Sequence, residues 1–165
     1  RRTGPDVDFN RYWADYKNGF GEAPGDFWLG NEAVHNLTVR NHYRLRVDVR
    51  VNGQELFAEY AFFRIESESN NYRLRLGSDS GTLDVSPGRG LAYHSNQYFS
   101  TRDRNNNAAS SNCSSHLLSA WWYRNYCYLT NLNGLWGVQN RTGITWHARN
   151  GFLYPTFVEM KIRRK

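Results

Sequence analysis

Few residues in this chain stand where bond-making chemistry would need them. Five histidines, His35, His42, His94, His116 and His147, are scattered, and none has zinc-ligand spacing with a cysteine or glutamate. No Gly-x-Ser-x-Gly nucleophile turn occurs, and no glycine-rich phosphate loop follows a strand pattern. Glu66 and Glu68 lie close together, beside a polar stretch that reads as solvated. The reading is of a non-enzyme. What remains is cross-linking and recognition. The only two cysteines, Cys113 and Cys127, are 14 positions apart and enclose Trp121 and Trp122. An Asn-rich stretch from Asp103 to Ser111 precedes them, and Asn131-Leu132-Asn133-Gly134 follows. As an oxidised pair they fit an extracellular protein. They would close a 15-residue loop, for which the chain-entropy model gives about 3 kcal/mol. The alternative is two buried thiols in a reducing compartment.

The elements that must carry this end are legible upstream. Phe9, Tyr12, Trp13, Tyr16 and Phe20 recur at helical spacing, which predicts a helix from Asp8, as cap, to Gly19. Gly21 to Gly25 reads as a turn, Phe27 to Gly30 as a short buried stretch, and Asn31 to Leu37 as a short helix with Val34 and Leu37 inward. Tyr43, Leu45, Val47, Val49 and Val51 alternate with Arg44, Arg46, Asp48 and Arg50, the period of a strand with one wet face. Asn52-Gly53 then predicts a tight hairpin into a partner strand from about Leu56 to Ile65, and Tyr72 to Leu76 gives a third strand. From Gly77 to Ser111 periodicity disappears, and a loop of that length inside a domain is usually functional. Phe157 to Ile162 predicts a short strand returning to the central sheet.

At 165 residues, with 39% apolar and 16% aromatic residues, the chain is long enough for one domain with a core built on large rings. No run approaches 18 apolar residues, so no membrane span is expected. Arg1-Arg2-Thr3 does not read as a natural start, and the chain is read as a fragment of something longer. The net charge of +6 comes from 21 Lys+Arg against 15 Asp+Glu. It favours anionic partners such as sulfated glycans, or it is only a mild imbalance on a soluble surface. The Arg44, Arg46, Arg50, Arg73 and Arg75 set is a candidate heparin surface. Nucleic acid is not expected as a partner, because no such motif is present. Three Asn-x-Ser/Thr sequons favour secretion: Asn36-Leu37-Thr38, Asn140-Arg141-Thr142 and the weaker Asn112-Cys113-Ser114. Asn36 and Asn140 are the candidate glycosylation sites.

Several stretches, in order, resemble the C-terminal fibrinogen-like domain of fibrinogen, ficolins, angiopoietins and tenascins. They are Phe27-Trp28-Leu29-Gly30-Asn31, His35-Asn36-Leu37-Thr38, Phe99-Ser100-Thr101-Arg102-Asp103, Trp121-Trp122-Tyr123 with Cys127, Asn131 to Gly134, Gly143-Ile144-Thr145-Trp146 and Glu159-Met160-Lys161-Ile162-Arg163. Loop lengths and the Tyr93-His94 pair are most similar to the tenascin branch. The resemblance implies an α+β fold with a central antiparallel sheet, short flanking helices and a long loop-rich binding end. The division it implies is a central-sheet region of about 1–98, a loop-rich binding subdomain of about 99–156 and a return strand over 157–163. It also implies that the usual small N-terminal subdomain, with its own disulfide, is either trimmed or lacking.

In the family a calcium ion sits before the cysteine loop, held by aspartates two apart and backbone carbonyls. Those acids fall here on Asn105 and Asn107, with Asp103 just upstream, and the carbonyl donors fall near Ala109 and Ser111. One carboxylate survives, flanked by Arg102 and Arg104, so the expectation is a weakened or lost Ca2+ site: affinity follows the carboxylate count. The bland alternative is a metal-free, turn-rich asparagine loop. Lectin members hold an acetyl group in a funnel beside the cysteine loop, aimed at by amides around a cis peptide, here Tyr126–Cys127. The matching positions are altered. Tyr128 stands for the family's histidine, Leu117 for a tyrosine and Asn140-Arg141 for a Tyr-Ala pair, and one residue is inserted between Trp122 and Cys127. Tyr123, Tyr126, Tyr128 and Trp136 remain as possible aromatic walls, while at least one of Trp121 and Trp122, and Trp146, are expected in the core. The function implied is a secreted, non-catalytic recognition module that binds receptors or matrix components in matrix, adhesion or signalling. The alternative is an innate-immune lectin for acetylated or anionic glycans. Oligomerisation is expected through segments outside this chain.

Overall fold

The computed structural model describes residues 1–83 and 89–165; residues 84–88, within the expected long loop, lie outside the described residues. In chain order the elements are α1 (Trp13–Asn18), β1 (Phe20–Gly21), β2 (Phe27–Trp28), α2 (Asn31–Val39), β3 (Tyr43–Val51), β4 (Gln54–Ile65), β5 (Leu74–Leu76), β6 (Asp79–Gly81), α3 (Cys113–Leu117), β7 (Thr130–Asn131), β8 (Thr145–Ala148), β9 (Gly151–Leu153) and β10 (Phe157–Arg164). Single 3-10 turns cover Glu68–Asn70 and Gly90–His94. The fold is α+β with antiparallel sheets and short helices.

The main sheet runs β10-β3-β4, and the far edge of β4 is shared by β5 and β6. The β3–β4 turn is the one that Asn52-Gly53 demands. Both residues have positive φ (49° and 78°), and Val51 faces Gln54 across a two-residue loop. Leu45, Val47, Val49 and Val51 are buried, as period two requires. The return strand β10 pairs with β3 from Phe157↔Arg50 to Arg164↔Tyr43, two residues beyond the expected end. A second, three-stranded sheet, β7-β8-β9, forms in the disulfide half.

The wet face of β3 and its neighbours carries several ion pairs. Arg46 pairs with Asp48 (2.8 Å) and Glu59 (3.0 Å), and Arg50 with Glu55 (2.9 Å). Lys161 reaches Asp48 (2.5 Å), and Arg75 reaches Glu66 (2.6 Å). Such exposed pairs add under about 1 kcal/mol each, and they offset the charge of Arg46, Arg50 and Arg75 in the candidate heparin set, while Arg73 donates to the Asn96 carbonyl (2.9 Å). Glu66 and Glu68 are likewise not simply solvated: Glu68 accepts from Trp13 Nε1 (2.8 Å) and Lys17 (2.6 Å).

Four helix and strand expectations change. The helix expected from Asp8 starts at Trp13, because the Asp8 carboxylate accepts the Asn10 N–H (2.8 Å) and holds a turn instead. Tyr12 is consequently exposed, with the Arg102 guanidinium 4.2 Å over its ring. Gly19 does end the helix, at φ 92°. In α2, Leu37 is exposed and Thr38 is buried, since Val34 and Thr38, four apart, share the inward stripe. Tyr72 is not in a strand: it is left-handed (φ 48°) and buried, with its hydroxyl donating to Glu32 (2.7 Å). The aperiodic stretch after Gly77 is not wholly loop, for it contains β6, the Gly90–His94 turn and the buried Leu83, Leu91, His94 and Phe99.

Candidate functional site: the disulfide end and its rim

The disulfide end is built on buried rings. Trp121, Trp122 and Trp146 are all fully buried, so both members of the tryptophan pair are structural. Trp122 joins the two halves. Its indole N–H donates to the Tyr72 carbonyl (2.7 Å), and its own carbonyl accepts from His94 Nδ1 (2.8 Å). That contact fixes the tautomer, because a carbonyl can only accept. The other imidazole nitrogen of His94 is buried without a partner, and burial holds the ring neutral, its pKa pushed down to about 4.

Cys113 and Cys127 form the expected disulfide, with Cα atoms 5.3 Å apart. Cys113 opens α3, whose first turn is capped by the Asn112 side chain accepting the Ser115 N–H (3.2 Å). Below it the Asn131 amide donates to Ser119 Oγ (2.7 Å), Ser119 Oγ and the Tyr123 hydroxyl are 2.5 Å apart, and the Asn133 amide donates to the Ala120 carbonyl (3.0 Å). These buried asparagines are what the Asn131-Leu132-Asn133-Gly134 motif supplies.

This arrangement sorts the ligand-site candidates. Leu117 and Tyr123 are buried. They brace the rim from beneath rather than line it, because their apolar surface is spent on the core. Tyr126 is 61% exposed. Cys127 and Tyr128 are half-buried, and Asn140 and Arg141 are exposed. The structure brings Tyr128 and Arg141 together, with the guanidinium 4.1 Å over the ring. Two residues missed in the sequence join them. Arg124 lies 5.1 Å over the Tyr93 ring, and the Tyr93 hydroxyl accepts the Tyr126 N–H (3.4 Å). Beyond Tyr128, Phe152 packs 6.0 Å away and His147 lies 5.1 Å from Phe152. Arg89 donates to the Ala148 carbonyl (2.9 Å). The Tyr126–Cys127 peptide is trans; among the described residues Ala23–Pro24 alone is cis. Trp136 sits elsewhere, lining a shallow cavity of about 340 Å³ with Arg2, Phe9 and Leu118.

An apolar cavity of about 310 Å³ lies between β2, β4 and β10, lined by Trp28, Leu29, Phe63, Met160 and Ile162 among others. It takes no wall from Tyr126, Tyr128 or Arg141. Nearby, Arg2 is a buried cation missed in the sequence. It lies 3.6 Å from Asp26, donates to the Gly134 carbonyl (2.9 Å) and stacks 3.9 Å over Phe9. Only a tertiary contact 132 residues away could reveal that role.

At the metal-loop candidates, Asp103 is turned away from the loop. Its carboxylate accepts the Trp13 N–H (3.0 Å) and the Thr101 hydroxyl (2.6 Å). Asn105 accepts the Asn107 N–H (3.3 Å). The Asn107 amide nitrogen donates to the carbonyls of Ala109 (3.1 Å) and Ser111 (2.9 Å). Among the described residues no three His, Cys, Asp or Glu converge as a metal group. Calcium takes six to eight oxygens, and its affinity rises with the number of charged ones; of the candidate residues only Asp103 carries a carboxylate, and it is already engaged, so the donor set does not fit a tight calcium site. Of the sequons, Asn36 is exposed on α2, while Thr38 is buried with its hydroxyl donating to the Val34 carbonyl (2.8 Å). Asn140 is exposed, and its side chain accepts the Thr142 hydroxyl (2.8 Å).

Comparison with known proteins agrees with this architecture. Human tenascin-R is 45% identical over 166 residues, covering 99% of this chain and 12% of that protein. Human ficolin-3 is 39% identical over 160 residues, covering 94% of this chain and 52% of that protein. The chain thus spans only part of either relative. Among solved structures, the fibrinogen-like globe domain of human ANGPTL2 superposes with a TM-score of 0.90 at 36% identity, over 99% of this chain and 77% of that one. Lamprey fibrin D-dimer, complexed with the peptide Gly-His-Arg-Pro-amide, gives a TM-score of 0.83 at 28% identity, over 98% of this chain and 58% of that one. The family model for the C-terminal globular domain of fibrinogen beta and gamma chains matches residues 1–165, and the chain belongs to that family.

Proposed function

We propose that this chain is a non-catalytic extracellular recognition module, engaging a receptor or matrix protein through the rim of its disulfide end. The observation that carries this reading is the pairing of arginines with tyrosines there, Arg141 on Tyr128 and Arg124 on Tyr93, beside the exposed Tyr126. Tyrosine and arginine, with tryptophan, are the residues most enriched at the energetic centres of protein interfaces, tyrosine because it presents a large ring and a hydroxyl on few rotatable bonds, arginine because its planar guanidinium stacks on rings and offers five donors. The disulfide and the buried tryptophans hold that surface ready, which limits the ordering cost of binding. Similarity to tenascin-R and a peptide-bound fibrin neighbour support protein ligands. Secretion is supported by the disulfide and by the exposed Asn140 sequon. No helix among the described residues is long and apolar enough to cross a membrane.

A second reading, a lectin for acetylated or anionic glycans, is favoured by the similarity to ficolin-3 and by the cationic character of the rim. The altered Leu117, Tyr128 and Asn140-Arg141 positions weigh against acetyl recognition. Binding of the wild-type domain to a matrix-protein array and to a glycan array, each with and without calcium, separates the two. We expect a matrix-protein ligand whose affinity falls at least about tenfold in Tyr126→Ala and Arg141→Glu, with melting temperatures unchanged. Strong acetyl-sugar binding abolished by chelator would overturn the first reading.

A further inference from the structure

We infer that the carboxamide of Asn107 does the structural work of a bound cation, so that the loop before the disulfide closes on itself and needs no calcium. A cation in this loop would gather carbonyl oxygens and tie them to the start of α3. Asn107 does both. Its nitrogen carries two N–H groups, and they reach the carbonyls of Ala109 (3.1 Å) and Ser111 (2.9 Å). Its oxygen accepts the N–H of Cys113 (3.1 Å), the first residue of α3 and one end of the disulfide. The direction of the amide is fixed by these partners. Swapping oxygen and nitrogen would set an acceptor against two carbonyls and a donor against an N–H.

The surroundings are filled in the same way. Asn106 donates to the Phe99 carbonyl (2.8 Å), and its backbone N–H goes to Ser100 Oγ (3.0 Å). The surviving carboxylate, Asp103, is engaged by Thr101 and by Trp13 of α1. Arg104, 4.0 Å over the Trp13 ring and 3.7 Å from Glu68, and Arg102, over the Tyr12 ring, flank it. An aspartate at position 107 could still accept from Cys113, but its second oxygen would face two carbonyl oxygens with no proton between them. Aspartate here calls for a cation; asparagine replaces it.

Two measurements test this. The melting temperature of the oxidised wild-type domain should be the same in excess calcium and in excess chelator, and a calcium titration by calorimetry should show no saturable heat. In chelator, Asn107→Asp should melt about 3–6 °C lower than wild type, from loss of two hydrogen bonds and the exposure of two carbonyls to a carboxylate. Calcium should raise the melting temperature of that variant but not of wild type. Should Asn107→Asp fail to fold, hydrogen exchange of the Asn107 side-chain amide in wild type decides, with protected protons expected. Saturable calcium binding by wild type, an Asn107→Asp melting curve equal to wild type in chelator, or a freely exchanging Asn107 amide would each overturn the inference.

Discussion

The β10-β3-β4 sheet and the disulfide end reach order by different means. In the sheet, backbone pairs with backbone, side chains alternate between Val or Leu inside and Arg, Asp or Glu outside, and the turn is set by two residues. In the disulfide end the backbone is tied by side chains: Asn106, Asn107, Asn112, Asn131 and Asn133 each bond main-chain or hydroxyl groups. Strand hydrogen bonds need only an extended chain of the right pattern, whereas each asparagine tie depends on one residue at one place. The first region is therefore expected to tolerate substitution at most exposed positions, and the second to be sensitive wherever one of these asparagines is changed.

The largest expected effect joins the two regions. Trp122 is buried and bonded to Tyr72 on one side and His94 on the other. Trp122→Ala should cost about 4 kcal/mol, read by chemical denaturation as one cooperative transition at lower denaturant. Loss of the disulfide end with the sheet still folded would instead separate the regions more sharply than drawn here.

Acid should act on the same junction. The His94 imidazole has an ordinary pKa of 6.5 and is held down to about 4 in the folded state by burial. Above about pH 6.5 both states are neutral there and stability does not respond. As pH falls through that window the unfolded chain takes up a proton that the folded chain refuses, so stability is lost. The loss should approach about 3 kcal/mol near pH 4. His94→Gln should flatten that part of the profile. A wild-type profile no steeper than the variant's would show that His94 does not govern it.

A similar or slightly smaller effect is expected from the disulfide. Cys113→Ser with Cys127→Ser should cost about 3 kcal/mol or less. Hydrogen exchange should quicken over 113–127 while the β3–β4 ladder keeps its protection relative to global unfolding. Equal loss of protection in both regions would erase the contrast between them.

Much of the sheet could be read directly from residues. The Val and Leu alternation in β3 and the Asn52-Gly53 turn are local signals whose physics lies within a few bonds. Order was harder to read where a side chain competed with the helix, as Asp8 does, or where a residue took left-handed backbone to bury a ring, as Tyr72 does. At the candidate site, the cysteine pair, Tyr126, Tyr128 and Arg141 were legible from motif order. Tyr93 was not, since it meets Tyr126 and Arg124 only through contacts more than 30 positions long in sequence, and Arg124 had no signal without it.

The amino-acid sequence by itself determined the family, the strand alternation, the cysteine pairing and the replacement of two loop acids by amides, because each is a matter of residue type at fixed spacing. Tertiary structure alone decided which aromatic rings are exposed and which are core, that Arg46 and Arg50 of β3 are ion-paired, and that Asn107 binds the carbonyls of its own loop. Burial, ion pairing and hydrogen-bond direction depend on what the rest of the chain brings within about 3 to 4 Å, and no local pattern encodes that.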